Sequence, residues 1–500
     1  ILDFDTNDER PLLVKVGLSS VSVQNAQANL NAEIAGWDFD QVVAEADQKW
    51  ENELGKIAIE GTEKQKEIFY TAMYHAFTQP NNIADVNGDY MASDYSTQHA
   101  DDGVQYSTFS LWDTYRATHP LYTLIQTERT KGFVGSLVRQ SESYGYLPIW
   151  QFWNQENYCM IGNHAIPVLV DAALKGLAGM DLERVYNAVK QSSTVSHTNS
   201  PFEVWDKYGY MPENIQTQSV SITLEMAYDD WCVAQLATKL GKTDDYDYFM
   251  KRSHYYRNLY DPEIGFFRAK NSDGNWIDPF DPLKYGANGG NPFTEGNAWQ
   301  YFWYVPQDIS DLVSLVGGEE KFAQKLDTFF SLADAPNEVN GNASGFIGQY
   351  AHGNEPSHHA AYLYDYVGQA WKTQKYVAEV MSDLYNTTSS GYAGNEDCGQ
   401  MSSWYVFSAM GFYPVNPSSG IYMIGSPVLE SALIHLSGNK TFAVICKNQS
   451  PENIYIQSAI LNGKKLDRPY ITHQEIIGGG KLEFVMGNKP NKKWGMMPSN

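Results

Sequence analysis

The chain has 500 residues, and 59 acidic against 35 basic side chains give a formal net charge of −24. That length suits one large helical domain with a smaller appendage, or two or three domains. The charge excludes a nucleic-acid partner, because no basic patch is present to release counterions from phosphate. No apolar run reaches the roughly 20 residues that span a membrane.

Residues 1–25 alternate apolar and polar side chains, clearest over Leu12-Leu13-Val14-Lys15-Val16-Gly17-Leu18, and read as one or two strands. Ile1 stands where an initiator Met would, so the sequence reads as the middle of something longer. Residues 26–60 read as a linker of two helices, 24–31 and 39–54, rich in Ala, Glu, Gln and Lys. Over 61–415 a dozen or so amphipathic helices follow without alternating strands. They are expected at 63–77, 111–126, 130–143, 166–175, 181–191, 219–240, 244–258, 294–305, 308–316, 319–331, 358–364, 369–381 and 401–410. So many helices exceed a single bundle and point to helix pairs closing into a ring. From 416 to 500 the runs at 432–436, 442–447, 454–461 and 482–485 are short and β-branched, as in an antiparallel sheet or sandwich.

Aromatic residues make up 14% of the chain, with 34 Tyr and 13 Trp. Core packing accounts for most of them, and sugar sites use such flat faces to cover C–H surfaces. Cys159, Cys232, Cys398 and Cys446 have neither CxxC spacing nor scaffold density, so buried thiols are expected rather than a zinc site. Asn342, Asn386, Asn439 and Asn448 begin glycosylation sequons.

Two segments carry the chemistry. Phe293-Thr294-Glu295-Gly296-Asn297-Ala298-Trp299-Gln300-Tyr301 and Gly394-Asn395-Glu396-Asp397-Cys398-Gly399-Gln400-Met401-Ser402 each set a carboxylate beside Gly and amide residues. Each then runs into an aromatic-rich stretch. Two carboxylates from distant parts of a chain are what acid/base hydrolysis of a glycosidic bond requires. Glu295 follows the loop Asn288-Gly289-Gly290-Asn291-Pro292 and opens a helix beside Trp299, Phe302 and Trp303, which would desolvate it toward a general acid. Its plain alternative is a first-turn glutamate favoured by the helix dipole. Asp397 is expected as general base, the alternative being a cap for the helix that follows. Glu396 ranks below it.

Asn354 and Glu355, in His352-Gly353-Asn354-Glu355-Pro356-Ser357-His358-His359, offer hard oxygens suited to Ca2+. His358 and His359 lack zinc spacing and read as hydrogen-bonding residues. Leu111-Trp112-Asp113-Thr114-Tyr115-Arg116 pairs an aromatic plane with a carboxylate fit for adjacent sugar hydroxyls, or else an Asp–Arg pair at i,i+3. The loop through Trp153, Glu156 and His164 reads as a pocket wall. Trp112, Asp113, Glu156 and His359 are therefore the candidate substrate-binding residues.

These motifs together resemble glycoside hydrolase family 92, the calcium-dependent exo-acting α-mannosidases. The resemblance rests on LWDTYRATHP from Leu111, EGNAWQY from Glu295, HGNEPSHH from His352 and GNEDCGQMSSWYVFSAMGFYPV from Gly394. It implies an N-terminal β-sandwich, of which residues 1–25 would be the end, then linker helices, an (α/α)6 barrel and a C-terminal β domain. The rest of the sandwich is expected to pack on the barrel. It further implies Glu295 as general acid and Asp397 as general base. It places Asn354, Glu355 and Asp397 at Ca2+, has Trp112 and Asp113 grip the terminal mannose, and implies single-displacement inversion outside the cytoplasm, secreted or periplasmic. Many members carry Asp where this chain has Asn395. An inverting α-glucosidase on the same architecture and a non-catalytic glycan-binding protein stay open. The first should not depend on Ca2+, and the second would not need Glu295 opposite Asp397.

Overall fold

The computed structural model describes residues 11–286, 292–332 and 342–497. The N-terminal strand reading does not hold over the described part. Residues 11–22 form no strand, because among the described residues no neighbouring strand takes their backbone hydrogen bonds; residues 1–10 lie outside the described residues. The segment instead lies along the helix Val23–Glu33, where Asn29 Nδ2 donates to the Leu18 carbonyl at 2.8 Å. Ser22 caps that helix, and Asp38 caps the next, Phe39–Leu54.

The linker assignment of residues 26–60 is corrected at its end. Ile57–Glu60 is a strand that pairs antiparallel with Ser431–Leu436, nearly four hundred residues away in sequence. Ile57 and Ile59 face inward while Ala58 and Glu60 face out, the period-2 pattern of a half-buried strand. The C-terminal sheet has the order Ile57–Glu60, Ser431–Leu436, Lys440–Lys447, Gly480–Gly487, Tyr455–Leu461, Lys464–Lys465. It is not wholly antiparallel: Lys440–Lys447 and Gly480–Gly487 run parallel, since the chain detours through three strands and a short helix between them.

Between these β portions the chain is helical. Glu63–Ala76 starts in a reciprocal Thr62/Gln65 capping box. Neighbours then pack in sequence: Thr118–Ile125 on Thr127–Tyr144, Ala165–Leu174 on Leu182–Ser192 and on Ser219–Lys239, and Ser219–Lys239 on Thr243–Arg252. Glu319–Ser331 packs on Ala360–Val367, which packs on Ala370–Asp383, and Gln400–Met410 returns to Glu63–Ala76. The last helix of the series thus meets the first. Every residue of Gln400–Met410 is buried, as expected of a helix enclosed on all sides.

Three expected helices are shorter, broken or differently wound. The 111–126 stretch splits into Leu111–Thr114 and Thr118–Ile125 because Gln400 Oε1 takes the Ala117 N–H at 3.0 Å. The 294–305 stretch shrinks to Ala298–Tyr301, opened by an Asn297/Gln300 capping box. The 358–364 stretch is a 3-10 segment, Ala360–Val367. A helix at Phe202–Tyr208 and several two- or three-residue strand pairs were not expected.

Candidate active site

Two glycines bring the candidate loops together. A Cβ on Gly394 would lie 2.5 Å from the Gly353 carbonyl oxygen, and one on Gly353 would lie 2.2 Å from Ser344 Oγ. Only glycine permits this approach, and it sets Glu355 and Asp397 side by side. With Asp113 they form a trio whose carboxylate oxygens lie within 4.8 Å of one another.

Glu355 is 1% exposed, and among the described residues neither of its carboxylate oxygens has a hydrogen-bond partner. A buried, unpartnered carboxylate is costly unless a cation compensates it. Burial pushes the Glu355 carboxyl well up, and the Asp113 and Asp397 charges push it further. Asp113 is raised for the same reasons, burial first and then Asp397, against a hydrogen bond from Ser110. Burial and the charge of Glu295 lift Asp397 to about 6. Three hard oxygen donors of like charge, one wholly unsatisfied, fit Ca2+ better than zinc. Asn354 is adjacent, and its Nδ2 donates to the Glu295 backbone carbonyl at 2.8 Å. Asp113, read from sequence as a sugar ligand, therefore falls in the candidate metal cluster.

Glu295 and Asp397 sit on unusual backbone. Their φ values are 47° and 52°, in the left-handed region that non-glycine residues seldom adopt. Such strain, of order 1–3 kcal/mol each, persists where surrounding structure enforces it and gathers at functional sites. Glu295 does not open a helix, as expected from sequence, but lies in the turn ahead of the Asn297 cap. It is 5% exposed, and Asn342 Nδ2 donates to its Oε1 at 2.6 Å. Of the loop 288–292 expected to precede it, residues 288–291 lie outside the described residues. Asp397 is likewise free of the capping role. Glu396 takes that role, with Oε2 accepting the Gly399 N–H at 2.8 Å and Oε1 the Ser402 hydroxyl at 2.5 Å. Asn395 is exposed.

The other candidates are held as follows. Trp112 is buried, and its indole N–H donates to Glu225 Oε1 at 3.0 Å. Arg116 forms no helical pair with Asp113; its Nε donates to the Trp112 carbonyl at 3.1 Å, and its guanidinium lies over Trp112, Tyr115 and Tyr304. The Glu156 carboxylate accepts the backbone N–H groups of Ile149, Trp150 and Tyr158 at 2.6, 3.1 and 2.7 Å, which shapes the pocket-wall loop. His359 Nε2 donates to the Trp303 carbonyl at 2.8 Å, and burial drops its pKa to about 4. His358 lies between the His352 carbonyl and Gln400, both ring nitrogens engaged. Neither imidazole is arranged as a zinc ligand. Cys232 and Cys446 are buried thiols, whereas Cys159 is exposed and Cys398 intermediate.

Sequence reading missed Glu225. It lies on Ser219–Lys239, a helix buried almost all round, where a carboxylate is out of place unless partnered. That mismatch is the signal that could have found it.

A solved α-mannosidase of family GH92 from Bacteroides thetaiotaomicron, in complex with mannoimidazole, is 42% identical over 95% of this chain and 63% of its own, with a TM-score of 0.92. An inverting mannosidase of the same family from B. thetaiotaomicron VPI-5482 is 38% identical over 96% of this chain and 67% of its own, at a TM-score of 0.88. A protein described as an uncharacterized secreted glycosidase from Arthroderma benhamiae is 28% identical over 99% of this chain and 63% of its own. The chain thus spans less than two thirds of the first and last of these relatives. The glycosyl hydrolase family 92 catalytic domain matches residues 25–488, and the chain belongs to that family.

Proposed function

We propose that this chain carries the active site of a Ca2+-dependent exo-acting α-mannosidase, which removes terminal α-mannosides from glycans with inversion. The observation that carries the reading is the convergence of Glu295, Asp397, Asp113 and Glu355. They are carboxylates from four separate segments, coupled in one electrostatic neighbourhood.

Asp397 is the base. A carboxylate lifted to about 6 is ionised near neutral pH yet basic enough to take a proton from water. Glu295 is the acid, its carboxyl fixed by the Asn342 amide. Water attacks the anomeric carbon while the glycosidic C–O bond breaks. One water proton passes to Asp397, and the leaving oxygen takes the proton of Glu295. Asp113, Glu355 and Asp397, with Asn354 beside them, would hold Ca2+, which when bound would offset their charge and supply a Lewis acid for the sugar's oxygens. Trp112, Asp113, Glu156 and His359 belong to the mannose pocket in this reading.

The helical series is read as an (α/α)6 barrel, in keeping with the contact between its first and last helices. An N-terminal β-sandwich would pack on it, a point supported by the exposure of Val14, Val16 and Leu18. Action outside the cytoplasm, secreted or periplasmic, is supported by the description of the fungal relative as secreted. Among the described residues no helix is long and apolar enough to cross a membrane.

The test is hydrolysis of linkage-defined α-mannobioses with and without Ca2+, with the first-formed anomer read by NMR. Release of β-mannose only in the presence of Ca2+ is expected. Release of α-mannose, or glucose release from glucosides with no mannosidase activity, refutes the reading.

A further inference from the structure

Glu225 is fully buried, and its carboxylate joins three otherwise separate parts of the site. Oε1 accepts two hydrogen bonds, from the Trp112 indole N–H at 3.0 Å and from the Tyr301 hydroxyl at 3.3 Å. Oε2 faces His164 Nε2 at 3.1 Å, and His164 Nδ1 faces Asp229 Oδ1 at 2.9 Å. Asp229 Oδ2 accepts the Asn163 N–H at 2.8 Å, and the His164 ring stacks on Tyr115 with centroids 4.3 Å apart. Burial opposes a charge on His164, but the Asp229 and Glu225 carboxylates outweigh it and raise the imidazole to about 9.

The position of this network matters more than its strength. Trp112 precedes Asp113 of the carboxylate trio, and Tyr301 ends the helical turn that follows Glu295. The same helix, Ser219–Lys239, also holds the Glu295 turn from its N-terminal end. There Ser221 Oγ accepts the Thr294 N–H at 2.9 Å, and the preceding Gln218 accepts the Thr294 hydroxyl at 2.7 Å. One rigid helix thereby contacts both the segment of Asp113 and the segment of Glu295.

We propose that Glu225 is a positioning residue. Its carboxylate sets the Trp112–Asp113 segment in register with the Glu295 segment, and His164 clamps it from behind. It touches no reacting atom. It acts by fixing the distance between groups that must be placed to a fraction of an ångström, where a displacement of about 1 Å costs on the order of 10²-fold in rate. The proposal rests on the mannosidase reading above.

The test compares Glu225→Gln, Glu225→Leu and Tyr301→Phe in kcat, KM and thermal midpoint, measured on the α-mannobiose that wild type cleaves best. Gln keeps the Oε1 acceptor, and a neutral His164 can accept from its amide, so kcat/KM within about fivefold of wild type is expected. Leu keeps the volume but no acceptor, and kcat should fall about 10²-fold with KM changed far less. Tyr301→Phe should cost several-fold on its own and nothing further beside Glu225→Leu, the sign of one shared interaction. A Leu variant at wild-type kcat overturns the proposal, as does a Gln variant as impaired as Leu. If Leu fails to fold, Gln and Tyr301→Phe decide alone: a Gln variant impaired well beyond about fivefold, or a Tyr301→Phe variant at wild-type kcat, overturns it. Inactive wild-type protein would instead strike the mannosidase reading, so the two failures are distinct.

Discussion

Replacing Glu355 by Gln should make the metal-free protein more stable and abolish its response to Ca2+. Without metal, two buried carboxylates and a half-buried one offer oxygens within 4.8 Å of one another. Asp397 alone shows the scale: its value rises from 3.8 to about 6, some two units, or roughly 3 kcal/mol. The sign follows from proton binding. Between about 4 and 6 the folded chain keeps a proton that the unfolded chain has lost. Stability from that proton is therefore complete below the unfolded value and is lost as pH rises to about 6. Ca2+ competes with the same proton, so its stabilisation is greatest above pH 6 and its affinity falls about tenfold per unit below it. Unfolding entropy scales near 2.1 cal/mol/K per residue, about 1 kcal/mol/K for a chain of 500 residues. Ca2+ at a hundred times its Kd stabilises by about 2.7 kcal/mol, which corresponds to an upward shift near 3 °C. Glu355→Gln removes the group whose ionisation burial and its neighbours oppose, and gives those neighbours an amide donor. Its midpoint in EDTA at pH 7.5 should rise by about 2–3 °C, and the Ca2+ shift should drop below about 1 °C. Differential scanning calorimetry with EDTA or Ca2+ at pH 5.5 and 7.5 reads both. A variant less stable in EDTA that keeps the full Ca2+ shift would refute the reasoning.

Exhaustive chelation should abolish hydrolysis, and Ca2+ but not Zn2+ should restore it, measured as mannose release after EDTA dialysis. Glu295→Gln should lose about 10²–10⁴-fold on a natural disaccharide yet stay near wild type on a dinitrophenyl mannoside, whose leaving group needs no proton. Asp397→Asn should impair both substrates alike, and an equal loss from Glu295→Gln on both would exclude it as the acid. Arg252 is buried and donates to both Asp230 oxygens at 2.8 and 2.9 Å. Arg252→Leu leaves that buried carboxylate without its cation and should cost about 3–5 kcal/mol by calorimetry.

The helices were legible where local signals settle the matter. Phe39–Leu54 and Glu319–Ser331 begin and end as their periodicity indicates, because capping and amphipathicity act over a few residues. What could not be read was set at long range. Gln400 breaks the 111–126 helix by taking the Ala117 N–H from 283 residues away. Ile57–Glu60 becomes a strand only because Ser431–Leu436 offers its edge. The alternation at 12–18 failed for the converse reason, since a strand needs a partner and the described residues supply none.

The candidate site divides along the same line. Residue types and spacing singled out Glu295, Glu355 and Asp397, because carboxylates set among Gly, Asn and aromatic residues are uncommon wherever they fall. What each carboxylate touches was not legible. Glu396 and Asp397 are adjacent and chemically alike, yet Glu396 turns its oxygens to Gly399 and Ser402 while the left-handed backbone at Asp397 turns its carboxylate to the trio. One dihedral separates a helix cap from a candidate base. The place of Asp113 in the candidate metal cluster was not legible for a related reason: proximity to Glu355 and Asp397 depends on how three segments fold, not on what any one contains. Composition can thus nominate a charged residue, but only the surrounding shell assigns its task. In this fold that shell is Gly353, Gly394, Ser110 and Asn342, residues that carry no charge.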